Sequence, residues 1–173
     1  SGLQRQMIRA LLEELGAIAD GLSGAGRDWF LWQRVRFQVE NLKVLARGAA
    51  RELSATALQP HLIDLPPDLA LDGAAWAEPP GTASLAERLA RTSPAAPLRD
   101  ALLDLKTADW SQSGTFLLET ALDRAFLREA LCRTGSLPGA DRDAVLRIAR
   151  HEIDSFNILL LVLGTLMDMA ALL

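Results

Sequence analysis

Residues 28–53 read DWFLWQRVRFQVENLKVLARGAAREL and contain the clearest helical pattern of the chain. Apolar side chains return there in steps of three and four, which places them on one face of an α-helix. Asp28 precedes the pattern and is a suitable N-cap. The stretch therefore predicts a long amphipathic helix. Its buried seam is predicted to consist of Trp32, Val35, Val39, Leu42, Ala46, Ala49 and Leu53.

Helical periodicity recurs on both sides of this stretch. Residues 3–22 predict a first helix with its own buried apolar face, and two glycines in residues 23–26 separate it from the second. Further helices are predicted near 98–105, over 115–133, and from 142 to 173, where Asp141 is a suitable N-cap. The predicted fold class is all-α, a compact bundle of about five to six helices. The apolar face of the first helix is predicted to consist of Leu3, Met7, Leu11, Leu15, Ile18 and Leu22.

The segment 54–97 differs from the rest because it holds seven of the eight prolines, and proline interrupts a continuous helix. It also carries many apolar residues between Leu58 and Trp76, too many for a solvated linker. We therefore expect a long, irregular, proline-rich loop after the second helix, ordered against the bundle within a single domain of residues 1–173. Ser84 and Glu87 have the spacing of a capping box, which predicts one short helix inside this loop.

The composition is that of a compact soluble domain: 173 residues, half of them apolar, with a net charge of −4. This acidic balance does not favour nucleic acid as a partner. Cys132 is the only cysteine, and the helical pattern predicts that it lies in the core. The first residues do not resemble a signal peptide, so we expect a cytoplasmic protein, although a removed signal peptide would leave no trace.

The last predicted helix is apolar enough over residues 156–173 to approach the length of a membrane span. Asp154, Asn157 and Asp168 fall on one line along it. Because an Asp near the centre of a bilayer is costly, we expect a mostly buried C-terminal helix with one polar stripe instead of a membrane helix. An exposed helix that mediates oligomerisation is the remaining alternative. The stripe either reaches solvent or pairs with arginines of the second helix.

Aromatic residues gather at the start of the second helix. Trp29, Phe30 and Trp32 place aromatic surface on more than one side of it, and Trp76 lies in the proline-rich segment. Such residues either pack in a core or form a surface that binds a partner. We take these four as candidate partner-binding or ligand-binding residues.

The sequence lacks the common signatures of enzyme chemistry, among them a Gly-rich phosphate loop, Cys-x-x-Cys, His-Glu-x-x-His and Gly-x-Ser-x-Gly. His61, Cys132 and His151 do not have the spacing of a zinc site. We therefore predict no metal and no other cofactor, and the sequence favours a protein without enzymatic activity.

The tripeptide Arg150-His151-Glu152 precedes the long apolar run of the last helix. A histidine followed by an acidic residue at the start of an amphipathic helix resembles the phosphoacceptor segment of histidine kinase dimerisation and phosphotransfer domains. The resemblance implies an exposed His151 that accepts a phosphoryl group, and a neighbouring carboxylate that orients its ring.

The function that the sequence predicts is a helical protein-interaction, regulatory or sensory module, which binds a partner protein or a second copy of itself. A receptor for a small apolar ligand is the first alternative, in which residues 58–76 close a pocket between the helices. Histidine phosphotransfer through His151 is the second alternative.

Overall fold

The computed structural model describes residues 2–77, 84–105 and 115–166, which form eight α-helices and one 3-10 turn. No strand occurs in these ranges. The predicted all-α class is therefore confirmed, although the helices are more numerous than predicted. They are α1 (Gly2–Asp20), α2 (Gly24–Ala50), α3 (Ala55–Leu58), α4 (Gly73–Ala77), α5 (Leu85–Thr92), α6 (Ala96–Asp104), α7 (Phe116–Thr134) and α8 (Gly139–Leu166), and the 3-10 turn covers Gln59–His61.

The central helix is α2, which packs against α1, α5 and α7. Most of its predicted seam is buried: Trp32, Val35, Val39, Leu42 and Ala46 all lie in the core. The helices α1 and α2 form one hairpin and α7 and α8 form another, because only short turns separate them. The two hairpins meet where α2 packs on α7.

The C-terminus of α2 comes earlier than the periodicity predicts. Glu52 adopts a left-handed conformation with φ of 55°. The backbone N–H of Glu52 donates to Ala49 O, and that of Leu53 donates to Gly48 O. These two bonds form a Schellman motif, which ends the helix at Ala50. Leu53, predicted as part of the seam, is consequently exposed.

Two of the predicted N-caps lie inside helices. The helix α2 starts at Gly24 after Ser23, not after Asp28. The helix α8 starts at Gly139, so Asp141 lies in its first turn. Both starting glycines have positive φ, 55° at Gly24 and 22° at Gly139, a conformation that other residues rarely adopt. Glycine thus allows the chain to turn into each helix where the sequence suggested a break.

The segment predicted as an irregular proline-rich loop contains α3, the 3-10 turn, α4 and α5 in its described parts. The prediction of an irregular loop is therefore wrong for much of it. The predicted capping box of α5 is present, because Glu87 N–H donates to Ser84 Oγ and Ser84 N–H donates to Glu87 Oε2. Leu58, Leu69 and Trp76 are buried in the core. Pro79 and Pro80 lie outside the described residues.

Two buried amides of α2 hold this segment in place. Asn41 Nδ2 donates to Ile63 O at 2.8 Å, and Asn41 Oδ1 accepts from Ile63 N–H at 2.7 Å. Gln38 Nε2 donates to Leu69 O at 2.9 Å, and Gln38 Oε1 accepts from Ser93 Oγ at 3.0 Å. Because each amide satisfies its donor and its acceptor, α2 can bury both polar side chains.

Candidate partner-binding surface

An apolar stripe runs along the outer side of α1. Its exposed fractions range from 68% at Leu3 to 40% at Leu22. At about 100° per residue the four side chains that lie in α1 fall within an arc of roughly 80°, and the fifth, Leu22, follows two residues after the helix ends. We call this surface the α1 stripe, and it consists of Leu3, Met7, Leu11, Ile18 and Leu22.

The α1 stripe is the face that the sequence predicted to be buried, so that prediction is wrong. The helix α1 instead turns Ile8, Leu12 and Ala19 toward the core. Apolar residues cover nearly half of its circumference, and α2 covers only one side of that wide face. The pattern gave the width of the apolar face but not which part has a neighbour.

The charges beside the α1 stripe are unevenly distributed. Arg5 donates to Pro60 O and Arg9 pairs with Asp64 at 2.6 Å, so both arginines contact the segment that follows α3. Residues 10–23 contain no Lys or Arg. Glu13 and Glu14 lie there, exposed and with no ion pair to any described residue. They add to the negative end of the helix dipole, so this half of α1 is acidic.

A second apolar surface lies on the last turns of α8. This helix has 28 residues against 19 in α7, so it is about 13 Å longer than its hairpin partner. These extra turns extend beyond Phe116, the first residue of α7. The exposed fractions of Ile158, Leu159, Leu161 and Val162 lie between 51% and 62%. The prediction of a mostly buried C-terminal helix is therefore wrong for the part of that helix that the structure describes.

The predicted polar stripe of the last helix reaches solvent where it is described. Asp154 and Asn157 are exposed, and Asp168 lies outside the described residues. The α2 arginine that reaches α8 is Arg36, and it pairs with Glu152 instead of with the stripe. His151 is exposed on α8, as the resemblance to phosphoacceptor segments implies.

A stack of four side chains fastens α2 to α7. The rings of Trp32 and Phe126 are stacked with centroids 5.8 Å apart. Arg133 lies 4.8 Å above the Trp32 ring, and Arg36 lies 4.8 Å above the Phe126 ring. Trp32 Nε1 also donates to Phe126 O at 3.0 Å. Because Arg36 continues to Glu152, the same stack anchors α8.

A charged cluster crosses the α2–α7 contact further along. Lys43 Nζ lies 2.6 Å from Asp123 and 3.0 Å from Glu40, while Arg47 Nε donates to Glu119 at 2.9 Å. Three carboxylates thus share two cations. Burial lowers the pKa of Lys43, but the two neighbouring carboxylates outweigh it and the pKa rises above 10.5. Burial raises the pKa of Asp123 above 3.8, and the hydrogen bond and charge of Lys43, which lower this pKa, do not offset the effect of burial.

The four candidate aromatic residues occupy different environments. Trp32 and Trp76 are core residues with 4% and 8% of their surface exposed. Trp29 and Phe30 are half-buried, in edge-to-face contact at 5.3 Å, and Trp29 Nε1 donates to Thr134. The structure therefore does not bring the four together on one surface. Contact of Trp29 and Phe30 with a partner stays a prediction.

Cys132, predicted to lie in the core, is exposed in the last turn of α7. At about 100° per residue it falls at the edge of the buried face that Ala125 and Phe126 form. The helical pattern placed it near that face but not inside it.

A cleft of about 740 Å³ lies between α1 and the segment 59–71. Charged and polar groups such as Arg5, Gln59 and His61 line it together with apolar ones. Within the described residues no group of His, Cys, Asp and Glu side chains is arranged to hold a metal ion. None of the helices, as far as they are described, is long and apolar enough to cross a membrane.

The described part of the chain thus consists of helices braced against one another, with exposed apolar side chains on α1 and α8 of the kind found at protein–protein contacts. The model of the ATP synthase (C/AC39) subunit family matches residues 1–164. The chain belongs to this family. Neither the curated proteins nor the solved structures contain a match to it.

The family membership corrects the function predicted from the sequence. The family is that of a structural subunit of the rotary ATPase stalk, so the prediction of a regulatory or sensory module is wrong. The two alternatives, a receptor for an apolar ligand and histidine phosphotransfer, fall with it. The expectation of a protein partner is met in a coarser form, because membership implies a partner within a complex.

Proposed function

We propose that this chain is a structural subunit of the stalk of a rotary ATP synthase, where it joins neighbouring subunits without taking part in the chemistry. The match to the ATP synthase (C/AC39) subunit family over residues 1–164 carries the proposal. The internal bracing of the bundle and its uncovered apolar faces support it.

The bracing suits a part that transmits force. The stack on Trp32 and Phe126 and the cluster around Lys43 both cross the α2–α7 contact, and Trp32 and Lys43 are about 16 Å apart along α2. Ion pairs and cation–π contacts at two separate points oppose sliding of one helix along the other. A helical body held in this way passes a load from one end to the other with little internal movement.

The uncovered faces suit a part that is surrounded by others. Apolar surface of this size, rimmed by charged residues, is typical of protein–protein contact. In the α1–α2 hairpin the N-terminus of α1 lies beside the C-terminal half of α2. The start of α7 lies at the same end, because Glu119 pairs with Arg47. The last turns of α8 return to this end, because α8 runs antiparallel to α7. Both apolar faces therefore reach the same end of the bundle. We also propose that residues 1–173 act as one domain on the cytoplasmic side of the membrane.

Depletion of the protein in the cells that make it tests the proposal. Without a stalk subunit, ATP hydrolysis by the detached part of the enzyme should continue while ATP-driven ion pumping by membrane vesicles is lost. Re-expression of the wild-type chain should restore pumping. Unchanged pumping in depleted vesicles contradicts the proposal.

A further inference from the structure

We propose that the α1 stripe binds an amphipathic helix of another ATP synthase subunit, and that this helix carries Lys or Arg beside its apolar face. The inference rests on the proposed function, since it names the partner of one surface of that subunit. Three properties of the stripe support it: its shape, its area and the charges beside it.

The shape of the stripe fits a helix. Its helical side chains recur in steps of four and seven residues between Leu3 and Ile18, which gives a ridge about 22 Å long, and Leu22 follows just after the helix. A ridge with this spacing fits the groove between the side-chain rows of a second helix. Between 41% and 68% of each of its helical residues is exposed.

The area of the stripe favours one helix of a larger complex over a second copy of this chain. Five side chains exposed by 40% to 68% present on the order of 400 Å² of apolar surface, the size of a large patch on a monomer. A stable dimer needs about 800 Å² per partner. The area of the stripe is too small to hold a dimer by itself. A helix of a larger assembly can bind to it, because further contacts in the assembly also hold that helix.

The charges beside the stripe indicate the chemistry of the partner and its register. At about 100° per residue Glu13 lies to one side of the stripe and Glu14 lies within its arc, and both are exposed. No Lys or Arg occurs in residues 10–23, and the negative end of the helix dipole lies in the same half of α1. The arginines of the first turns are already engaged by the segment 60–64. Basic residues of the partner helix should therefore face the C-terminal half of α1, where they lower the repulsion between the two glutamates.

The experiment measures how much tagged chain is recovered in purified ATP synthase. Ile18→Glu places a charge in the stripe, and Leu103→Glu is its matched control. Ile18 and Leu103 have the same size and are both 41% exposed, but Leu103 lies on α6, away from the stripe. Recovery of Ile18→Glu should fall by about tenfold or more, and that of Leu103→Glu should equal the wild type. Circular dichroism verifies that both variants fold.

The charge contribution is tested separately. Glu13→Lys combined with Glu14→Lys should reduce recovery, and more strongly at low salt than at high salt. The control is Asp100→Lys combined with Asp104→Lys, two exposed carboxylates of α6, which should leave recovery unchanged. Equal loss in both double variants, or in neither, overturns the basic-partner inference.

A photo-crosslinking residue in place of Met7, a side chain that is 65% exposed, gives a readout that does not depend on a disruptive variant. The crosslinked peptide should come from another ATP synthase subunit, from a helical segment with Lys or Arg beside its apolar positions. Crosslinks to a second copy of this chain, to a segment without basic residues, or to nothing overturn the inference. If Ile18→Glu is recovered like the wild type, the inference fails and the proposed function stands. If the wild-type chain itself is missing from the purified enzyme, the proposed function fails, and the inference with it.

Discussion

Replacement of Asn41 by Ala removes both hydrogen bonds that join α2 to the segment after α3. Asn41 is 3% exposed, and it binds the N–H and the carbonyl oxygen of the same residue, Ile63. Each lost bond costs about 1 kcal/mol, and a buried backbone group left without a partner adds about 1–3 kcal/mol. Ala is the better helix former by about 0.6 kcal/mol, which offsets part of the loss. The net expectation is a decrease of about 2–4 kcal/mol in the free energy of unfolding.

Urea denaturation followed by circular dichroism measures this decrease, and Asn157→Ala is the control. Asn157 is exposed on α8, so the same substitution there should not lower the stability and should raise it by at most about 0.6 kcal/mol through helix propensity. Hydrogen exchange locates the effect: the amide of Ile63 should lose protection in the Asn41 variant, while amides in the middle of α7 lose only what the global destabilisation requires. A decrease below about 1 kcal/mol with a protected Ile63 amide would refute the argument that this amide holds the segment.

Substitutions at five further residues should lower, raise or change the pH dependence of the stability. Gly48→Ala should lower the melting temperature, because the new Cβ would overlap a buried leucine side chain of α3. The cost of this overpacking, about 1–3 kcal/mol, exceeds the gain in helix propensity. Gly16→Ala, whose Cβ meets nothing within 4 Å, should raise the melting temperature. Glu52→Gly should stabilise by about 0.5–1 kcal/mol in urea denaturation, since glycine adopts its left-handed conformation without strain, and a loss of stability would contradict the Schellman assignment. Burial raises the pKa of Glu119, but hydrogen bonds and nearby cations outweigh it and hold the pKa below 4.5. The stability that ionised Glu119 contributes is therefore complete above pH 4.5 and is lost as the pH falls further. Glu119→Gln should flatten the acid side of the profile of melting temperature against pH. The chain contains no tyrosine that would titrate in the same range, so Lys43 can be followed at alkaline pH. The loss of stability as the pH rises above 10.5 should be smaller in Lys43→Met, and an unchanged loss would count against the Lys43–Asp123 ion pair.

The core of α2 could be predicted from the sequence because its apolar period is continuous from Trp32 to Ala46 and those residues are buried. The end of the helix could not, because nothing in the pattern shows that Glu52 takes a left-handed conformation. The two buried amides were also missed. Their signal was present, since Gln38 and Asn41 lie three residues apart next to the seam, where a polar side chain needs a partner.

The partner surface could not be predicted because an apolar period shows only that a helix face avoids water. It does not show whether the chain itself or another subunit covers that face. Both α1 and α8 were therefore assigned to the core, and both expose part of their apolar side. For two of the aromatic residues the error was the reverse. Trp32 and Trp76 were taken as candidate binding residues because large aromatic side chains are common at interfaces, but both are buried in the core.

The amount of this chain in purified ATP synthase tests the central claim most directly. The enzyme is isolated through a tag on a different subunit, separated on a native gel, and analysed by quantitative mass spectrometry. The account predicts that the chain migrates with the intact complex in an amount comparable to that of other stalk subunits. A chain found only as free protein, with the intact complex lacking it, would contradict the account.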